Sequence, residues 1–326
     1  MRERIYTYAQ LASSSVSDFV ASHYDFQGPF HCKFYVSGLH DNYLLETKRG
    51  KFILRIYRNT WRSREEINFE LELLAFLGER TVQVASPLLT TSGALSFDVE
   101  SPEGERVAAL FRYANGRAPG IAITPEESAM LGRAVANVHS MSATFSTPHA
   151  RPVLDIPYLL DESIMAIKPF IDYDGLSYLG DLQRKLHDVM PRLQKVAGVY
   201  GICAGDISPT NFHVDQNKQI TLFDFDQCGF GYRAFEIGKF FSSIHSHSAK
   251  HIIEDAFLDG YRHVRKLSST ECEAIPYFEI VSVIWVMAIH AYNANRIGHK
   301  MLEKPFWDRR LGILKELASV PHLSIS

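Results

Sequence analysis

The 326-residue sequence predicts an α+β protein of two lobes, β-rich over residues 1–114 and mostly helical over 115–326. Three observations carry this. Alternating apolar runs split by turn-forming stretches crowd the first lobe, apolar residues at helical spacing dominate the second, and the length suits about two domains at roughly 100 to 200 residues each.

The elements follow in order. FHCKFYV (30–36), NYLLET (42–47) and KFILRIY (51–57) read as successive antiparallel strands joined by the turn stretches GLHD and KRGK. In REEINFELELLAFLGER (64–80), Ile67, Leu71, Leu74 and Leu77 recur at helical spacing, and Gly78 is expected to end that helix. ALSFDVES and ERVAALFRYA form a hairpin around Pro102 and Gly104, and the second strand runs into Tyr113–Gly120, a candidate hinge. Thr124 then caps a helix with Pro125 in its first turn and Glu127 three residues after the cap.

One β-like exception interrupts the helical half: in residues 198–232 the short runs FHVD and ITLFDF flank polar turns. The most apolar segment, Ile280–Ile289, is broken by Ser282 and is shorter than the roughly 20 apolar residues a membrane span needs. It is expected to be a core helix, with no membrane partner.

Hydrophobic residues at 46% and charged residues at 22% exclude a disordered or collagen-like chain. Lys and Arg total 34 against 37 Asp and Glu, with the signs mixed, so no basic stripe marks a nucleic-acid partner. The four cysteines are scattered without a C-x-x-C, which suits a reducing, cytoplasmic setting. The charged amino terminus lacks the apolar run of a secretory signal. His247 and His251 are four apart but lack the adjacent carboxylate of a metalloprotease pair, and His139 near a helix end reads as structural.

The chemistry concentrates in GDISPTN, with Asp206 and Asn211, followed by Asp224 and Asp226 in LFDFD. Carboxylates and a carboxamide at the ends of short strands supply the hard oxygen ligands that nucleotide-bound Mg²⁺ requires, together with one carboxylate to hold a hydroxyl. The Asp-x-x-x-x-Asn spacing is that of a kinase catalytic loop.

Here the sequence resembles the family of aminoglycoside phosphotransferases, choline kinases, type II homoserine kinases and bacterial stress-response kinases, built on the protein-kinase-like fold. The resemblance runs from about residue 30 to 310, on Gly205, Asp206 and Asn211 and on Asp224, Phe225 and Asp226. It implies ATP and Mg²⁺ as cofactors, with residues 1–114 as the nucleotide-binding lobe and 115–326 holding the catalytic loop and acceptor cleft. Asp206 would orient and deprotonate the acceptor hydroxyl, while Asn211 and Asp224 would hold Mg²⁺.

Ala204 stands where the family most often has His, a loop support that does not touch phosphate. The phosphate loop is reduced to SGLHDN, where the backbone around Gly38 would approach the phosphates. Arg55, where protein kinases place Lys, would pair with Glu70 and clamp the phosphates; the alternative is a surface ion pair. Backbone groups from Phe111 to Tyr113 would meet the adenine edge, with Ile53 covering its face. Asp226 and the rim of a helix over Trp285–Arg296, with His290, Asn293 and Arg296, are acceptor-side candidates.

Ser208 and Asp226 replace the Lys and the D-F-G glycine of protein kinases, which favours a small-molecule acceptor: an amino alcohol, a homoserine-like or an aminoglycoside-like compound. KFILRIYRNTW and WVMAIHAY resemble the homoserine-kinase and stress-response branches, so a protein Ser/Thr acceptor is the alternative. A nucleotide-binding pseudokinase is the third reading, disfavoured because Asp206, Asn211 and Asp224 are all present.

Overall fold

The computed structural model describes residues 8–190 and 199–319; the residues at 1–7, part of the stretch read against a secretory signal, and Gly198 lie outside them. Backbone contacts divide the chain into two compact units. One takes in the chain up to Gly116 with Phe145–Arg151 and Thr221–Phe223; the other holds Arg117–Thr144, Pro152–Ile220 and the chain from Asp224 onward.

In the first unit, α1 (Ser13–His23) precedes β1 (His31–Ser37), β2 (Asp41–Thr47), β3 (Gly50–Ile56), α2 (Arg64–Glu79), β4 (Phe97–Ser101) and β5 (Gly104–Arg112). The strands form one antiparallel sheet in the order β1-β2-β3-β5-β4. Strand periodicity sends alternate side chains to opposite faces. Tyr43, Leu45, Phe52, Leu54, Ile56 and Leu110 bury one face against Val16 and Val20 of α1. Leu44, Ile53, Arg55 and Phe111 therefore share the other.

α2 opens with a capping box, in which the Ser63 hydroxyl accepts from Glu66 N–H and the Glu66 carboxylate accepts from Ser63 N–H. The expected stop at Gly78 is corrected: Gly78 lies inside α2, and the left-handed residue beyond its end is Thr81, at φ 60°. Gly78 answers a packing need, because a Cβ there would sit 2.9 Å from Ser86 Cβ.

The second unit is mainly helical, with α3 (Pro125–Met141), α4 (Ser163–Ile167), α5 (Tyr173–Val189), α6 (Arg233–Ser243), α7 (Lys250–Arg262), α8 (Ser269–Tyr292), α9 (Ala294–Ile297) and α10 (Lys304–Ala318). Thr124 caps α3 as its sequence indicates, with Glu127 completing the box. Short strands interrupt the helices: β6 (Tyr200–Cys203) pairs with β9 (Gly229–Tyr232), and β7 (Phe212–Val214) with β8 (Ile220–Leu222).

α8 packs on α6, α4 and α10 and buries Ile280, Val281, Ile284, Trp285 and Met287, so its apolar run is a core helix despite a length and composition that match a membrane span. The helix expected to reach Arg296 is corrected as well. α8 stops at Tyr292, Asn293 follows at its C-cap, and Arg296 belongs to the short α9.

Candidate active site

Arg55 and Glu70 meet in the first unit. Glu70 sits in the buried stripe of α2 with Ile67, Leu71 and Leu74, and is 1% exposed; Arg55 Nη1 lies 3.1 Å from its Oε1. The guanidinium stands 5.5 Å from the centroid of Phe111, opposite Ile53 in the ladder. The surface-pair alternative is corrected by this burial. A desolvated Arg held by a carboxylate presents a fixed fork for an anion beside an apolar strip.

The turn carrying Gly38 is closed by its N–H donating to His40 O at 3.0 Å, and Asp41 anchors it. Asp41 accepts from Ser37 Oγ at 3.1 Å and from buried Arg106 at 2.8 Å. A Cβ at Gly38 would meet nothing within 4 Å. Phe111 is buried near the end of β5, and Tyr113 follows half-buried with the Lys51 ammonium 5.7 Å from its ring centroid.

Single variants of this pair each leave a largely desolvated charge uncompensated, whereas the double variant removes both charges. Arg55→Ala is expected to weaken ATP binding by about 10- to 100-fold, the range for a hydrogen-bonded charge, and Glu70→Ala less. ATP titrations and thermal melts of the four proteins check this. Additive losses, or an unchanged ATP affinity in Arg55→Ala, would remove the pair from nucleotide binding.

The second unit brings together the loop residues. Asp206 is half-buried; its Oδ1 lies 2.7 Å from the Lys239 ammonium, and its Oδ2 accepts from the Asn211 amide at 3.1 Å. The same amide donates to the Asp206 carbonyl at 2.8 Å. With its nitrogen engaged there, the Asn211 carbonyl oxygen accepts only a long bond from the Thr210 hydroxyl, at 3.4 Å, and retains a lone pair as a hard ligand.

Gly205 shows why glycine precedes the acid. Its φ is +87°, and a Cβ would fall 2.0 Å from Gln227 O, so the loop lies directly against the Asp224–Cys228 turn. Phe225 is fully buried and pins that turn, while Asp224 takes the left-handed conformation at φ 63° and stays half-buried. Asn211 and Asp224 each offer an oxygen of the hard kind that a divalent cation such as Mg²⁺ takes.

The loop is held from behind. Glu236 Oε1 accepts Gly205 N–H at 2.7 Å, and its Oε2 lies 2.6 Å from His139 Nε2, whose Nδ1 lies 2.7 Å from Tyr261 Oη. Burial pushes the His139 pKa down, which favours a neutral ring donating to Glu236 and accepting from Tyr261. Cys203 approaches the same cluster, but burial pushes its thiol well up and keeps it protonated. Glu236 therefore anchors the loop at the residue next to Ala204.

Asp226 is buried, with Gln227 Nε2 donating to its Oδ2 at 2.9 Å. His290 bonds Val286 O through Nδ1 at 2.8 Å and packs on Phe306, while buried Asn293 donates to Ile289 O at 2.8 Å. These two side chains make helix-end contacts, and Arg296 is half-buried on α9. Sequence reading missed Glu236 and Lys239. Their signal was present in RAFEIGKFF, where Glu236 and Lys239, two of its three charges, stand three apart among apolar residues.

The profile of the phosphotransferase enzyme family matches residues 31–268. The chain belongs to that family. An uncharacterized protein of Synechocystis sp. is 36% identical over 317 residues, covering 96% of this chain and 87% of its own length. The structure of a microcompartment-associated aminopropanol kinase superposes with a TM-score of 0.77 at 21% identity, covering 93% of this chain and 95% of its own. An amicoumacin kinase in complex with AMP-PNP, Ca²⁺ and its ligand Ami also gives 0.77, at 19% identity, covering 97% and 98% of the two chains. These likenesses show the protein-kinase-like fold, with its sheet-bearing amino-terminal part and helical carboxy-terminal part.

Proposed function

We propose that this phosphotransferase moves the γ-phosphate of ATP, with Mg²⁺, to a hydroxyl of a small amino alcohol. The observation that carries the reading is the geometry at Asp206. Its carboxylate is fixed by Lys239 and Asn211, and Asn211 turns its own oxygen away from that contact. The arrangement suits one residue that receives a proton and one that ligates a cation.

Asp206 orients the acceptor O–H and takes its proton as the oxygen–phosphorus bond forms and the bond to the leaving ADP breaks. Asn211 and Asp224 would hold the metal, which would supply neutralisation of phosphate charge. Arg55, oriented by Glu70, takes further phosphate charge, and the apolar strip of Ile53 and Phe111 suits a flat ring. The chemistry needs positioning and charge neutralisation more than covalent catalysis.

Support for an amino alcohol comes from the likeness to the aminopropanol kinase, and support for ATP with a divalent ion from the AMP-PNP and Ca²⁺ of the amicoumacin kinase. The scattered cysteines, without a C-x-x-C, support a reducing, cytoplasmic setting. The test is ATP consumption by the purified chain with Mg²⁺ against 1-amino-2-propanol, homoserine, choline, an aminoglycoside and casein. Turnover with an amino alcohol is expected. Labelling of casein alone would replace the small-molecule reading with protein phosphorylation, and nucleotide binding without turnover would favour a pseudokinase.

A further inference from the structure

We infer that Lys239 is a positioning residue for Asp206, fixing the carboxylate so that its remaining lone pairs face the acceptor hydroxyl. This rests on the phosphotransfer reading above. The Lys239 side chain is 6% exposed and its ammonium reaches Asp206 Oδ1 at 2.7 Å, while the Asp206 side chain is 34% exposed. The cation is therefore held inside the fold and the carboxylate faces outward from it.

The frame is α6. Residues three apart on a helix share a face, and Glu236 and Lys239 use that face on adjacent loop residues: Glu236 takes Gly205 N–H at 2.7 Å and Lys239 holds the Asp206 side chain. α6 is rigidly placed, because every residue from Arg233 to Phe241 is buried and the helix packs on α8. One buried helix thus fixes both the backbone and the side chain at the head of the catalytic loop.

An ionised carboxylate offers about four lone-pair sites. Lys239 occupies Oδ1 and Asn211 occupies Oδ2 at 3.1 Å, one on each oxygen, which opposes rotation of the group about its last bond while leaving acceptor capacity on each oxygen. General-base catalysis depends on that geometry first, and a misplacement of about 1 Å can cost about 10²-fold in rate. Without Lys239, one oxygen loses its anchor and the carboxylate can turn.

The test is a cycle of Lys239→Met and Asp206→Asn, read as kcat and as KM for ATP. The acceptor is 1-amino-2-propanol or, if it gives no turnover, water as the intrinsic ATPase. Lys239→Met is expected to lower kcat by about 10- to 100-fold with KM for ATP within about threefold. In the Asp206→Asn background the same change should alter kcat by less than about twofold, since a residue acting through Asp206 has nothing left to position. Lys239→Arg, which keeps the cation, should recover more of kcat than Met does.

Equal losses in both backgrounds would overturn the inference, as would a loss confined to KM or an Arg variant no better than Met. Should Lys239→Met fail to fold, Lys239→Gln enters the same cycle. Wild-type turnover in Lys239→Met beside a poor Asp206→Asn would sink this inference alone. Wild-type turnover in Asp206→Asn would remove Asp206 as the base, and no ATP turnover by the wild-type chain would sink the phosphotransfer reading beneath it.

Discussion

Asp206→Asn is expected to lower kcat by about 10²- to 10⁴-fold while leaving ATP affinity within about threefold of wild type. The substitution is nearly isosteric, so the loop keeps its shape. The new amide can point its oxygen at Lys239, as Oδ1 does at 2.7 Å in the native chain, but its NH₂ then faces the NH₂ of Asn211, where Oδ2 accepts at 3.1 Å. A modest loss of stability follows from that donor–donor contact. The larger consequence is chemical, since an amide does not accept the acceptor's proton. Steady-state kinetics with an amino alcohol, paired with an ATP titration and a thermal melt, separate the two effects. A variant that turns over like wild type removes Asp206 from the reaction.

The parts of this site that sequence revealed are those whose partners are near in the chain or periodic. Asp206 and Asn211 are five apart, and one loop brings them together. Glu70 was reached through the resemblance, which pairs the strand cation with a carboxylate of the next helix; its burial beside Ile67, Leu71 and Leu74 came from the structure. The capping box at Thr124 is a set of local hydrogen bonds, readable from a four-residue window.

What stayed hidden depends on tertiary placement. Lys239 and Glu236 reach the loop from α6, and nothing local says which face of that helix turns toward Gly205. Asp41 and Arg106 form a fully buried ion pair 65 residues apart, although such charges ordinarily lie at the surface. Gly78 misled for a related reason: a glycine near a helix end signals either a cap or a close approach, and only the position of Ser86 decides. The break at Asn293 was masked because Ala294–Ile297 resumes helical geometry at once.

Asp224→Ala is expected to abolish productive Mg²⁺·ATP turnover, with a loss of at least about 10²-fold, because even a partner one shell removed from a metal costs about 10- to 100-fold in affinity. Two properties are lost together in that variant. Asp224 sits at φ 63°, a conformation Asp and Asn tolerate better than Ala, so part of the damage falls on the backbone. Asp224→Asn isolates the rest, since it keeps the left-handed preference and the size and removes only the negative charge. Phe225, fully buried beside it, keeps the turn in place in both variants. Asn211→Ala should give a weaker version of the metal defect, because a neutral amide oxygen binds a divalent cation less strongly than a carboxylate, together with a loss of kcat from releasing Asp206 Oδ2. Activity titrated against Mg²⁺, with ATP binding measured with and without the metal, checks the set. The Mg²⁺ requirement should rise steeply in Asp224→Asn and modestly in Asn211→Ala, while metal-free ATP binding stays near that of wild type. An unchanged Mg²⁺ requirement in Asp224→Asn would place the metal elsewhere and leave the left-handed turn at Asp224 with a purely structural role.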